Sequence, residues 1–396
     1  MFTELLCATR VNRNTSFFHS SNPTPTVEDV ADEYRCVAAP SDDRTALTIL
    51  QDQTIVLDTG RSGQVYAVAF QPDGEHLLGG TEHGIHRWRL ADGQEVGKQM
   101  RMTVYAISVS KDHRWIVCGT TKGASVWDRD MGEKVIEVGT LESAAYVWAV
   151  DVSPDSTRFA TGTTSKASIW SVTSGERLVG PLGQVNSVVG IRFSPTGERI
   201  ASACAGNYVR IFDSHTGDNL VTIKINIPNR PSTPLAWSTD GQQVFATSSD
   251  KKIKSFDAST GSLLDESQIL CDGNSDFSAI VLATNGKFIA TVATRKSISF
   301  LDTATLTRID PVIRDGKEPY SIAISPDNNY LATSQKDGKI AIRHLRSVLP
   351  DLYGPFHVSI VPLSPSMLVK PHPVSLINDL CRYLGGTTTT RLTLNP

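Results

Sequence analysis

One pattern recurs seven times along the 396-residue chain and constrains its fold more than any other feature. Each copy is a short stretch of alternating apolar residues that runs into a turn of the Pro-Asp-Gly kind, as in Val65–Gly74 and Val147–Ser156. The copies start 39 to 45 residues apart, at Val65, Val104, Val147, Val188, Ser232, Phe277 and Pro319. Apolar alternation that ends in a turn predicts a β-strand. A repeat of about 40 to 45 residues is the period of a propeller blade, so seven copies predict seven blades.

Each unit continues beyond its turn with enough sequence for three further strands. A short strand of small residues comes first, such as Phe159–Gly162. A third strand then ends in a large residue, at Trp88-Arg89, Trp127-Asp128, Trp170-Ser171, Phe212-Asp213, Phe256-Asp257, Leu301-Asp302 and Arg343-His344. Turns such as Ser174-Gly175 and Thr216-Gly217 open a fourth, outer strand. The sequence therefore predicts an all-β fold, a seven-bladed β-propeller with four antiparallel strands in each blade.

These units, over about residues 50–346, resemble the WD40-repeat family, in the divergent form found among fungal WD-repeat proteins. The family pairs a Gly-His before the inner strand with a Trp-Asp after the third strand, and it buries an aspartate six residues before the Trp position. The resemblance implies structural roles for Trp88, Trp127, Asp128, Trp170, Asp250 and Asp337. No unit has the Gly-His, so we expect an incomplete buried hydrogen-bond network and stability that comes mainly from apolar packing between blades.

The strand-like residues Thr54–Leu57 precede the first inner strand and have no blade of their own upstream. In the WD40-repeat family such a leading strand pairs with the last blade, which here means residues Lys339–Leu345. This pairing would close the ring and remove the open ends of a long β array. We therefore predict that an N-terminal strand closes the propeller.

Outside the propeller, which we place at residues 45–346, we predict two further segments. Residues 1–44 are expected to form a disordered or extended arm. Residues 347–396 form a tail whose six prolines oppose regular strand pairing over much of its length. Within the tail, residues 374–384 carry apolar side chains at helical spacing before Gly385-Gly386, which predicts a short helix.

Bulk properties exclude several classes of partner. The formal net charge is −3, which provides no basic field for a nucleic-acid backbone. The longest apolar runs are strand-length, so we expect no membrane partner. Six widely spaced cysteines, none in a Cys-x-x-Cys pair, argue against a zinc site and a disulfide-rich secreted scaffold. Because no charged N-terminal start precedes an apolar core, we expect no secretory signal and a cytoplasmic location, with the nucleus as the alternative.

The second position of the inner strands holds the most informative candidate site. That column carries four aromatic residues, which we call the aromatic arc: Tyr66, Tyr105, Trp148 and Tyr320. They fall on blades 1, 2, 3 and 7, which are neighbours in a closed ring. The family resemblance places the start of each inner strand at the mouth of the central channel, where an aromatic arc could anchor a peptide and accept an Arg or Lys by cation–π contact. The alternative is that these rings pack between blades.

These observations predict a non-catalytic scaffold or adaptor, monomeric by itself and part of a complex, that binds a protein or peptide at the channel mouth without a cofactor. The alternatives are a chromatin-associated subunit that reads histone tails and a propeller enzyme that acts on a small substrate in the channel. His83 and His86 beside Glu82 come nearest to a metal cluster, but strand alternation separates them and no second carboxylate converges. We therefore predict no metal site and no catalytic residues.

Overall fold

The computed structural model describes residues 5–9, 34–36, 49–51, 54–60, 63–97, 100–129, 132–139, 146–184, 186–206, 208–228, 234–270, 279–294, 297–314, 319–353 and 385–392. Two compact units divide the chain. The larger is Thr54–Val348, and the smaller combines Met1–Gln53 with Leu349–Pro396.

The larger unit is a seven-bladed β-propeller, as the repeat predicts. The inner strands are Val65–Phe70, Val104–Val109, Ala149–Val152, Val188–Phe193, Leu235–Trp237, Ile280–Leu282 and Pro319–Ile324. The second strands are His76–Thr81, Trp115–Thr120, Arg158–Gly162, Arg199–Cys204, Gln243–Thr247, Phe288–Thr294 and Tyr330–Gln335. The third strands are Ile85–Arg89, Gly123–Asp128, Lys166–Ser171, Tyr208–Asp213, Ile253–Asp257, Ser297–Asp302 and Lys339–His344. Outer strands complete blades 2 to 7 at Glu133–Gly139, Arg177–Gly183, Asn219–Lys224, Leu263–Glu266, Arg308–Arg314 and Ile55–Asp58.

The last of these outer strands closes the ring, which confirms the predicted closure. Ile55–Asp58 pairs antiparallel with Lys339–His344 of blade 7, in a register that places Ile55 opposite Ile342 and Asp58 opposite Lys339. The inner strands of neighbouring blades contact each other all the way around, including those of blades 7 and 1. Blade 7 therefore joins the two ends of the propeller, since its first three strands come from the end of the propeller sequence and its fourth from the start.

Blade 1 departs from the predicted four regular strands. In the described residues its sheet has three strands, and Glu95 and Met100 join its edge through isolated bridges to Trp88 and Ile85. The backbone N–H of Val96 also donates to the Arg87 carbonyl at 2.7 Å. Val96 and Met100 are the two apolar residues of this segment, so it lacks the alternation that would bury one face of a regular strand.

A serine at the end of most inner strands explains the recurring turn. In blade 3, for example, the Ser153 hydroxyl accepts a hydrogen bond from the Arg158 N–H at 2.9 Å. Equivalent bonds join Ser110 to Trp115, Ser194 to Arg199, Ser238 to Gln243 and Ser325 to Tyr330. Each bond crosses the turn, so the first hairpin of the blade is held by its side chain as well as by the strand ladder.

Two arginines near these turns connect neighbouring blades. The Arg158 guanidinium donates to the carbonyl oxygens of Gly197 and Ser214 in blade 4, at 3.0 and 3.1 Å. The Arg199 guanidinium likewise reaches the Gly241 and Ala258 carbonyls of blade 5. These charge-assisted bonds connect three successive blades, 3, 4 and 5.

The residues expected to have structural roles differ in their environments. Trp88 is fully buried, whereas the indole N–H groups of Trp127 and Trp170 donate to the Ser125 and Thr161 hydroxyls. Asp128 lies 3.4 Å from the Arg114 guanidinium. Asp250 and Asp337, matched to the buried aspartate of the resembling family, are both exposed, so that expectation is wrong. Their blades carry Phe256 and Arg343 at the Trp position and no Gly-His, and Asp250 instead pairs with Lys254 at 2.6 Å.

Two strand pairs lie within the described residues of the smaller unit. Leu5–Thr9, within the predicted arm, pairs with Gly385–Leu392, and Tyr34–Cys36 pairs with Ile49–Gln51. Short helices span Leu345–Val348, at the end of the propeller unit, and Pro350–Tyr353. The helix predicted over 374–384 lies outside the described residues. Neither described helix has the length and apolar content that a membrane crossing requires.

Candidate binding site at the channel mouth

The four residues of the aromatic arc lie side by side. The ring centroids of Tyr320 and Tyr66 are 6.0 Å apart, and the Tyr66 and Tyr105 centroids are 5.0 Å apart. Tyr105 is in turn 5.0 Å from Trp148. These contacts follow the ring order of blades 7, 1, 2 and 3, because each residue occupies the same position at the start of its inner strand. The arc is therefore one continuous group of rings across four blades.

The arc is only partly covered by the protein. All four residues are half-buried, in contrast to Val65, Val104 and Val147, which immediately precede three of them and are at most 1% exposed. Burial raises the pKa of the Tyr66 phenol and the Tyr105 phenol, and the neighbouring Glu82 carboxylate adds to both effects. The rings thus contact one another and remain partly exposed.

A fifth ring, Tyr146, extends this group, and the repeat pattern did not identify it. Its centroid is 5.0 Å from that of Trp148, with the two rings nearly parallel at 20°, and 5.7 Å from that of Tyr105. The side chain is 39% exposed. Tyr146 lies before the inner strand of blade 3, so it belongs to no column of the repeat. Its only sequence signal is its position two residues before Trp148.

Three polar residues connect the inner strands deeper along the same blades. Asp151 lies three residues beyond Trp148, and its carboxylate accepts hydrogen bonds from the Arg192 guanidinium at 3.1 Å and the Phe193 N–H at 2.8 Å. The Ser108 hydroxyl donates to the same carboxylate at 3.3 Å. Burial raises the pKa of the Asp151 carboxyl, although these three donors stabilise its charged form. This cluster links the inner strands of blades 2, 3 and 4, and its carboxylate is occupied by the protein's own donors.

The histidines considered for a metal site are separated in the structure. His86 is buried in blade 1, stacked beside Trp88, with its Nδ1 2.8 Å from Glu95 Oε1. His83 lies in the adjoining turn and is 3.5 Å from Glu82 Oε1. Within the described residues, no three His, Cys, Asp or Glu side chains converge as metal ligands would.

Comparison with known proteins agrees with this architecture. The model of the WD40 family (WD domain, G-beta repeat) matches residues 136–171, 176–213 and 314–343. The first two matches each run from the outer strand of one blade to the third strand of the next. A WD repeat-containing protein of Schizosaccharomyces pombe is 29% identical over 155 residues, which are 38% of this chain and 25% of that protein. The aligned region thus spans about a quarter of the relative's length.

A solved structure shares the fold. The β-propeller domain of Cps50 (Swd1) from Myceliophteria thermophila has a TM-score of 0.62 and 17% sequence identity, and the match covers 74% of this chain and 99% of that domain. These matches, together with the seven-bladed fold, support a divergent form of the WD40-repeat family. WD40 propellers are commonly protein-interaction scaffolds, typically bind proteins or peptides within complexes, and are generally not enzymes. The departures from the WD40 signature explain why only three repeats match the family model although seven blades form.

Proposed function

We propose that this WD40 propeller is a non-catalytic adaptor that binds a peptide or protein segment at the channel mouth, through the aromatic arc and Tyr146. The observation that carries the proposal is the contact among five half-buried or exposed rings from four neighbouring blades. Rigid aromatic side chains are the anchors that contribute most to binding patches, because they bury a large area at low entropic cost. Solvent exposure of these rings leaves that area available to a partner.

The same site supports an adaptor better than it supports an enzyme. An enzyme mouth would be expected to bring together several acids or histidines, as nucleophile, base or metal ligands. The Glu82 carboxylate stands at this site, 3.5 Å from His83 Nε2. The Asp151 carboxylate, on the inner strand of blade 3, is engaged by Arg192, Phe193 and Ser108. The described site therefore consists mainly of aromatic side chains rather than of candidate catalytic groups.

The proposal is tested by selecting peptides that bind the full-length chain from a random twelve-residue library. We expect selected peptides to lose at least about fivefold in affinity when Tyr105 or Trp148 is replaced by Ala, which corresponds to roughly 1 kcal/mol for an interface anchor. Their affinity is measured by isothermal titration calorimetry. The free energy of unfolding should fall by less than the roughly 3 to 5 kcal/mol lost when a fully buried aromatic site is emptied.

Tyr330→Ala is the matched control for these variants. Tyr330 is also half-buried and aromatic, but it begins the second strand of blade 7, at the end of the blade away from Tyr320, and packs against His344. Its replacement should leave peptide affinity unchanged. Strong destabilisation by Tyr105→Ala and Trp148→Ala, with unchanged peptide affinity, would mean that the rings are core residues and that the binding surface lies elsewhere.

A further inference from the structure

One carboxylate lies beside the two central rings of the aromatic arc. Glu82 belongs to the turn between the second and third strands of blade 1. The Thr103 hydroxyl, two residues before Tyr105, donates to the Glu82 carbonyl at 3.1 Å. Glu82 Oε1 is 2.7 Å from the point where a Cβ would stand on Gly63, three residues before Tyr66. The carboxylate therefore lies against the segment that leads into Tyr66, while the Glu82 backbone is bonded to the segment that leads into Tyr105. A side chain at position 63 would displace the carboxylate.

The negative charge of Glu82 acts on both rings. Burial raises the pKa of the Tyr66 phenol most, and the negative charge of Glu82 raises it further. The same charge contributes to the raised pKa of the Tyr105 phenol. The Glu82 side chain is 45% exposed. Its Oε1 lies 3.5 Å from His83 Nε2, and its second oxygen has no hydrogen-bond or ion-pair partner among the described residues. One carboxylate oxygen is thus available to a ligand at the edge of the arc.

The relative orientation of the rings favours the same kind of ligand. Tyr66 is turned by 59° from Tyr105 and by 81° from Tyr320, so the rings form angled walls rather than one flat shelf. A cation placed above a ring face is attracted by the ring quadrupole, and angled walls can present more than one face to it. A carboxylate at the edge adds direct charge attraction, which a neutral or acidic side chain would not gain.

From this geometry we infer that Tyr66, Tyr105 and Glu82 form a seat for one Lys or Arg side chain of the bound segment, so that the partner is a basic peptide. The inference rests on the proposed function and adds charge selectivity to it. The rings attract the cation and exclude water from its stem, while Glu82 neutralises the charge. A basic residue should then gain about tenfold in affinity over a neutral side chain of the same shape.

The test uses the peptides selected for dependence on Tyr105 and Trp148. We expect them to share an Arg or Lys. Replacing that Arg by citrulline, or that Lys by acetyl-lysine, should weaken binding to the full chain about tenfold in calorimetry. Glu82→Gln should weaken the basic peptide severalfold and leave the neutral peptide unchanged. Raising the NaCl concentration should weaken the basic peptide only, because exposed charge attraction is screened.

Glu176→Gln is the control for the loss of one exposed carboxylate, since Glu176 precedes the outer strand of blade 3 at the other end of the propeller. Glu176→Gln should change neither the affinity for the basic peptide nor that for its neutral analogue. If arc-dependent peptides bind equally well with citrulline or acetyl-lysine, or equally well to Glu82→Gln, the cation seat is wrong while peptide binding at the arc stands. If no selected peptide depends on Tyr105 or Trp148, the proposed function itself fails.

Discussion

Removing residues 1–58 should lower the melting temperature far more than removing residues 1–53. The longer truncation takes away Ile55–Asp58, the fourth strand of blade 7, and leaves Lys339–His344 as an unpaired edge. It also removes Leu57, which is 2% exposed and packs in the hydrophobic cluster shared by blades 7 and 1. Loss of this burial and of the strand ladder should cost roughly 5 kcal/mol or more, or about 10 °C in thermal unfolding.

Point substitutions within the closing strand test closure without shortening the chain. Leu57→Asp places a charge in the cluster that contains Ile340, Ile342 and Trp88, so it should destabilise the chain by about 4 kcal/mol. Val56→Asp is the matched control, because Val56 is on the same strand and 55% exposed. It should change the unfolding free energy by less than about 0.5 kcal/mol in chemical denaturation. Equal melting of the two truncations, together with equal effects of the two substitutions, would contradict a closed ring.

The sequence predicted the propeller because its determinants are local and repeated. Alternation before a Ser-Pro-Asp-Gly turn specifies a hairpin in each unit, and the Ser153 hydroxyl shows how one side chain of that turn holds the chain reversal. Closure by Thr54–Leu57 followed from the family resemblance, because in the WD40-repeat family a leading strand without its own upstream blade pairs with the last blade. The regular column at the start of the inner strands likewise located the aromatic arc, because equivalent positions in neighbouring blades become neighbours in space.

Features that the shared repeat pattern does not specify could not be predicted in this way. Tyr146 joins the arc from the position just before the seven aligned segments, where the units share no residue type, so the repeat pattern did not include it. The edge of blade 1 is irregular because residues 94–100 lack apolar alternation, which a count of repeats does not register. Asp250 and Asp337 matched a family position but are exposed, in blades that carry Phe256 and Arg343 at the Trp position and no Gly-His. Asp151 appeared isolated in sequence, since its partners Ser108 and Arg192 lie about forty residues away, at the same position of the adjacent blades.

Those partners make Asp151 the second residue whose replacement should have a large effect. Asp151→Ala removes the acceptor of three hydrogen bonds and leaves the Arg192 guanidinium without its carboxylate. The Arg192 side chain is 31% exposed, so water compensates part of the loss. We expect destabilisation of roughly 2 to 4 kcal/mol in chemical denaturation. Asp151→Asn retains an acceptor oxygen but no charge. Its free energy of unfolding should therefore lie between those of the alanine variant and the unmodified protein.

The double variant Asp151→Ala/Arg192→Met separates the cost of an unpaired charge from the contribution of the pair. Burial raises the pKa of Asp151, so the carboxylate is held against a desolvation penalty that only its donors offset. Removing Arg192 together with Asp151 should therefore recover at least about 1 kcal/mol relative to Asp151→Ala, with Met retaining the apolar stem of the arginine. If the double variant is instead less stable by the sum of the two single effects, the residues act independently. The Arg192–Asp151 pair would then add nothing to the link between blades 3 and 4, which the Phe193 N–H bond and the Arg158 hydrogen bonds also form.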